Sequence, residues 1–297
     1  MGNGQGDRRG TARRRKLRAG LAMGLLIGAM LMVGIVVWLA SGVPSVSPRF
    51  EAAEIAQREG RYDDAIAAYR QALREDPPNH QARWGLAQAH LARRDFAAAI
   101  AAFRVVHAAV PSGRSALALA QALALSGATL EASLVLESWL QVDGADVDAR
   151  RALADLEFKA GDRAAARAQF ERVRKAVPDD GLALARLSLL YDEAGDPRAR
   201  HFAERAYQRA PGSADARDAL GWLLVRAGEL QDGRALLEQA HTALPAEPIV
   251  GYHYAFALAR TGETGRASAL LHALLSAAVD CSCRGAARQL LAEIERS

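Results

Sequence analysis

One spacing constrains this 297-residue chain more than any other: a glycine recurs at close to every 34th position. Gly60, Gly127, Gly161, Gly195, Gly228 and Gly262 are separated by 67, 34, 34, 33 and 34 residues, and Arg94 stands where the long first gap would hold another glycine. A fixed period of a few tens of residues specifies a stack of similar units, none of which can bury its apolar side alone. Two further columns run in step with the first. A small residue follows five positions after the glycine register, at Ala65, Ala99, Ala132, Ala166, Gly233 and Ala267, while the fifth unit is one residue short and uses Ala199. Twelve residues later come Pro77, Pro111, Pro178, Pro211 and Pro245, with Gly144 in the remaining place.

These columns punctuate helices. Glycine adopts the left-handed conformation that closes a helix, and proline cannot continue one and turns its predecessor away from α. The intervening segments are rich in Ala, Leu, Arg and Glu and poor in β-branched residues, so each unit is expected to be two antiparallel helices of about a dozen residues joined by a tight turn. Four positions after the small residue a large one fills the space it leaves: Tyr69, Phe103, Leu136, Phe170, Leu237 and Leu271. The fifth unit departs, with Ala203 in that place and Phe202 beside it.

Segments such as REGRYDDAIAAYRQALREDP (58–77) and ALGWLLVRAGELQDGRALLEQAHTALP (219–245) resemble tetratricopeptide repeats. Seven such units extend over roughly residues 47–279, and a last helix over 285–296 looks like a C-terminal cap. The resemblance implies an all-α fold, a right-handed solenoid of about seven helix pairs whose first helices line a concave groove, and a role in protein–protein contact. Residues 221–275 also resemble the C-terminal repeats of envelope tetratricopeptide proteins from bacterial exopolysaccharide and surface-protein sorting systems.

The N-terminus has a different character. Residues 19–40 contain 22 residues without a charge, enough at about 1.5 Å per residue to cross a bilayer core. A basic run of Arg8, Arg9, Arg13, Arg14, Arg15, Lys16 and Arg18 precedes them, which by the positive-inside rule keeps residues 1–18 cytoplasmic. A single-pass anchor in a bacterial inner membrane is expected, with a linker at 41–48 and the repeats of 49–297 on the periplasmic side. The competing reading is a signal peptide cleaved near Ala40-Ser41-Gly42, although an h-region normally runs only about 7–15 residues. Gly20, Gly24 and Gly28 share one face of the span and offer two G-x-x-x-G spacings for a homodimer. Equally, glycine is simply common in such helices.

Charge excludes one class of partner. The formal charge is +4, but the first 20 residues carry +6, so the helical body carries −2 and has no basic surplus with which to neutralise nucleic-acid phosphates. No G-x-S-x-G, H-E-x-x-H or phosphate-loop spacing occurs. The histidines, His80, His90, His107, His201, His241, His253 and His272, share no face of the repeat. Neither cofactor nor metal is expected.

Projecting the repeat onto its groove positions nominates Phe50, Trp84, Gln88, Leu117, Gln121, Arg151, Asp155, Leu189, Trp222, Tyr252 and Phe256 as partner-binding residues. The aromatic members are anchors of the kind interfaces favour, and the alternative for each is packing between neighbouring helices. Trp139 is assigned to packing. The paired basic residues and asparagines that some family members use to clamp acidic C-termini are absent. Cys281 and Cys283 are the only cysteines. They are open to a structural or incidental role, to a disulfide within or between chains, and to redox or metal chemistry, and a bond across one residue would close a tight, labile ring. The leading functional expectation is a membrane-tethered scaffold in envelope assembly or export. The alternatives are a holdase for translocated polypeptides and a thiol-exchange protein.

Overall fold

A computed structural model describes residues 48–277 and 281–296. The basic tail, the proposed span with Gly20, Gly24 and Gly28, and nearly all of the linker lie outside them. Among the described residues no helix is long and apolar enough to cross a membrane. Every regular element in the described residues is a helix, fifteen in all. Seven pairs are followed by a single last helix, as the spacing requires: α1 (Pro48–Arg58) with α2 (Tyr62–Glu75), α3 (His80–Ala92) with α4 (Phe96–Ala109), α5 (Gly113–Leu125) with α6 (Thr129–Val142), α7 (Val147–Ala160) with α8 (Arg163–Ala176), α9 (Gly181–Glu193) with α10 (Arg198–Arg209), α11 (Ala214–Arg226) with α12 (Leu230–Ala243), α13 (Pro248–Arg260) with α14 (Thr264–Ser276), and finally α15 (Arg284–Arg296).

The residues form two compact units that divide at Pro78 and Asn79. The first is the pair α1–α2, held by Phe50 edge-on to Tyr69 at 5.8 Å between ring centroids. The second is the stack from α3 to α15, in which each helix packs on the next and the first helices of successive pairs from α5 onward also touch one another.

The turn inside each pair is the glycine column in three dimensions. All six glycines have φ between 69° and 90°. Arg94 in the vacant place adopts φ 63°, the one non-glycine among the described residues with positive φ. At all seven turns the amide one residue further on reaches back five positions, from Arg61 to Ala56, Asp95 to His90, Ala128 to Leu123, Asp162 to Glu157, Asp196 to Tyr191, Glu229 to Leu224 and Glu263 to Leu258. That bond satisfies a carbonyl the helix end would otherwise orphan. Asn79, Ser112, Asp146, Asp180 and Ser213 then start the next first helices by accepting a backbone N–H with their side chains.

The small and large columns meet as expected. Ala65, Ala99, Ala132, Ala166 and Ala267 are wholly buried, as are Leu136, Phe170, Leu237 and Leu271, with Tyr69 and Phe103 nearly so. In the short fifth unit α10 is trimmed to 12 residues. Ala203 and Phe202 are both buried there, and the Phe202 ring stacks on Tyr191 at 5.5 Å. Two helices approach closely at Gly221 and Gly233, where a Cβ on Gly233 would stand 2.7 Å from the Gly221 carbonyl oxygen.

Candidate functional site

The first helices of the second unit carry two cavities, and the nominated groove residues divide between them. The larger, about 440 Å³, is lined by Trp84, Gln88, Leu117 and Gln121 together with Arg114, Phe103, Asp146 and Asp148. It lies across α3, α5 and the start of α7. Trp84 is half-buried, edge-on to Phe103 at 5.2 Å, and the Arg114 guanidinium sits 4.4 Å above its ring. Its indole Nε1 is out of contact with water and has no hydrogen-bond partner among the described residues. Gln88, Arg114 and Gln121 are exposed. The floor is rigid because Asp146 acts twice: Oδ1 accepts the Ala149 N–H at 2.9 Å, capping α7, and Oδ2 accepts the Trp139 Nε1–H at 2.8 Å. A side chain at Gly113 would strike that carboxylate, at 2.1 Å from Oδ2. Trp139 thus packs, as expected, and also ties α6 to α7.

The smaller cavity, about 150 Å³, is lined by Leu189, Trp222 and Tyr252 with Phe158, Arg163, Asp192, His253, Ser282 and Cys283 among its other walls. Trp222 is fixed from several sides. Its Nε1–H donates to Asp192 at 3.1 Å, Arg226 pairs with the same carboxylate, and its ring stacks on His253 at 4.2 Å. His253 in turn holds the fully buried Asp218 through Nδ1 at 2.9 Å. Phe256 lies 5.2 Å from Trp222 and packs against the cluster formed with Leu290 and Leu291 of α15.

The remaining nominees sit elsewhere. Phe50 belongs to the core of the first unit. Arg151 is bound to Asp180 at 2.7 Å and Asp148 at 2.6 Å. Asp155 accepts from the buried Arg186 at 2.9 Å, and Arg186 also reaches Asp215 at 2.8 Å. Lys159 joins Asp155 at 3.2 Å and Glu247 at 3.1 Å. Burial alone would raise the Asp155 carboxyl, but Arg186 and Lys159 outweigh it and hold the group below the ordinary carboxylate range. This ladder crosses α7, α9 and α11 inside the stack. Cys281 and Cys283 are joined by a disulfide. Sequence reasoning missed Arg114, Phe158 and Arg163, whose importance comes from partners in other repeats, although Arg114 at the start of a first helix facing Trp84 could have been sought by register. Among the described residues no group of His, Cys, Asp and Glu is placed to hold a metal.

Comparison with known proteins agrees with this architecture. Two family models described as tetratricopeptide repeat match the chain, one over residues 50–114 and again over 151–214, the other over 224–294. Together they take in well over half of it, and the chain belongs to the tetratricopeptide-repeat family. Among solved structures it is similar to a tetratricopeptide repeat protein from Parabacteroides merdae, at 13% identity over 83% of this chain and 97% of that one, with a TM-score of 0.63. It is also similar to PilW, a widely conserved type IV pilus biogenesis factor, at 21% identity over 68% of this chain and 94% of that one, with a TM-score of 0.52. At these identities the likeness establishes the fold. No curated protein matches the chain. Tetratricopeptide-repeat proteins are generally scaffolds that bind other proteins or peptides.

Proposed function

We propose that this chain is a membrane-tethered adaptor that holds an extended segment of a partner protein in the cavity around Trp84, in an envelope assembly or export process. The observation that carries the reading is the combination of an indole, a guanidinium and two exposed amides on adjacent first helices. A peptide needs partners for its backbone N–H and C=O groups, and Gln88 and Gln121 can donate and accept alike. It needs an apolar seat for a side chain, which Trp84 and Leu117 supply. The indole N–H is buried, and it gains an acceptor if the ring turns toward an entering carbonyl.

The tether rests on the uncharged residues 19–40 and the basic run before them; the compartment rests on the same segment and on the resemblance of residues 221–275 to envelope repeat proteins. A photo-crosslinking residue at Gln121 in living cells tests the binding. A discrete adduct in the membrane fraction, lost in Trp84→Ala, is the expected result. A ladder of many adducts would favour the holdase alternative, and an adduct unchanged by Trp84→Ala would remove this cavity from the account. Deleting residues 19–40 is expected to release the protein from carbonate-washed membranes, and retention would overturn the tether.

A further inference from the structure

The smaller cavity has a wall the repeats do not supply. Cys281, Ser282 and Cys283 follow the last repeat, yet they lie against its predecessors. Ser282 Oγ accepts from Arg163 Nη2 at 3.1 Å across 119 residues of sequence. Ser282 Cβ comes within 3.2 Å of the place a Cβ on Gly161 would occupy, so the glycine that ends α7 also leaves room for this loop. Cys283 is only 7% exposed and belongs to the apolar cluster built from Phe158, Leu189 and Tyr191, against which Trp222, Tyr252 and Cys281 also pack. The loop therefore covers a stretch of first-helix face of the kind that, four repeats before Trp222, is lined by repeat residues alone around Trp84.

The disulfide sets the shape that fits there. Three residues in an extended chain place their outer Cα atoms roughly 7 Å apart, whereas Cys281 and Cys283 are held at 5.2 Å. The resulting turn puts Ser282 at its tip, toward Arg163, and drives Cys283 into the apolar wall. Arg284 anchors the far side of the loop to the Leu275 and Ala277 carbonyls at 2.7 and 3.0 Å, and between that anchor and Arg163 the covalent turn fixes the position of Ser282 and Cys283. The two sulfurs are not equivalent. Cys281 is the less buried, and Cys283 directly precedes α15, its carbonyl accepting the Ala287 N–H at 2.9 Å. Negative charge on the Cys283 sulfur falls at the positive end of that helix.

We propose that Cys281–Cys283 is a reducible latch that blocks the second partner-binding face, and that a dithiol reductant opens it. A thiolate of the reductant attacks the Cys281 sulfur, the S–S bond breaks, and Cys283 leaves as a thiolate that takes a proton from water. The second thiol of the reductant then displaces Cys281 from the mixed disulfide. The products are two protein thiols and an oxidised reductant, a transfer of two electrons and two protons. The freed loop leaves Phe158, Leu189, Trp222 and Tyr252 exposed to an apolar segment of a partner. That last consequence rests on the adaptor reading; release of the loop does not.

Hydrogen exchange on the full chain, oxidised and then treated with tris(2-carboxyethyl)phosphine, reads the release without any partner. Peptides covering 281–286 and 158–163 are expected to exchange several-fold faster after reduction, with peptides covering 84–121 unchanged. Fluorescence of added 1-anilinonaphthalene-8-sulfonate should rise in parallel, and Trp222→Ala should blunt the rise. A Cys281→Ser/Cys283→Ser variant with unchanged helical circular dichroism should match the reduced protein in the absence of reductant, and the reduced wild type stands in for it where the variant does not fold. Equal exchange in both redox forms overturns the latch, as does an increase spread evenly over the stack. Release of the loop with no adduct at either cavity would sink the adaptor reading and leave the latch standing.

Discussion

The cavities around Trp84 and Trp222 both lie along first helices but differ in size, at about 440 and 150 Å³, and their indoles stand four residues apart in register, Trp222 matching Gln88 rather than Trp84. Both have an indole on a first helix and an arginine near its ring. They differ in what satisfies the indole. Trp222 donates to Asp192, stacks on His253 and faces the chain's own loop at Ser282 and Cys283. Among the described residues Trp84 has no acceptor for its Nε1–H, and its cavity is lined by repeat residues alone. Repetition thus yields several potential seats, and departures from repetition decide which are vacant. A buried donor without a partner costs about 1–3 kcal/mol, and rotation of the Trp84 indole toward an entering carbonyl would remove that cost.

Four substitutions sharpen or break that contrast, in falling order of effect. Gly233→Ala sits under the closed region, where the new Cβ would meet the Gly221 carbonyl and the Val225 backbone nitrogen at 2.7 and 2.8 Å. Backbone must shift, and a loss of about 3 kcal/mol is expected by urea titration. Exchange protection near residue 84 should persist, and its loss would show that the two regions are not separable. Asp146→Ala removes both a helix cap and the acceptor for Trp139, so about 2 kcal/mol should be lost. Its effect should fall on the open cavity, measured as weaker crosslinking at Gln121.

Arg94→Gly runs the other way. Arg94 is held at φ 63° in the place six glycines fill elsewhere. Relieving a left-handed non-glycine residue should raise stability by about 1 kcal/mol, visible as a higher Tm. The smallest effect belongs to Glu157, between the two regions. Burial first, then repulsion from Asp162 and Glu137, pushes its carboxyl up to about 7, and its Oε2 is buried without a partner. The folded value lies above the ordinary 4.5, so the folded chain binds the proton more tightly and this group's contribution to stability falls as pH rises between those two values. After discounting for solvent screening, Glu157→Gln should gain about 0.5 kcal/mol at pH 8 and nothing near pH 4. Equal gains at both would show that shape, not charge, is at issue.

Much of the fold was legible because it is written in local chemistry. The glycine, small-residue and proline columns each state a backbone or packing requirement within one unit, and even the exception at Arg94 kept its register. The shortening near residue 200 was visible as an irregularity, although only the structure shows Phe202 stacking on Tyr191 to fill it. The sites were less legible because their content is long-range. Arg151 and Asp155 project toward the groove by register, yet Asp180, Arg186 and Lys159 engage them from the same and neighbouring repeats. Ser282 meets Arg163 with no local signal at either residue. The cysteine pair could be read as a possible ring, but not as a wall of the groove.

The most direct test sets the two cavities side by side. A photo-crosslinking residue is placed in turn at Gln121 and at Tyr252, in wild type and in Cys281→Ser/Cys283→Ser, under oxidising conditions. The account predicts an adduct at Gln121 in both backgrounds and at Tyr252 only where the cysteines are gone. Equal crosslinking at Tyr252 with the disulfide intact, or none at Gln121 in either background, would contradict it.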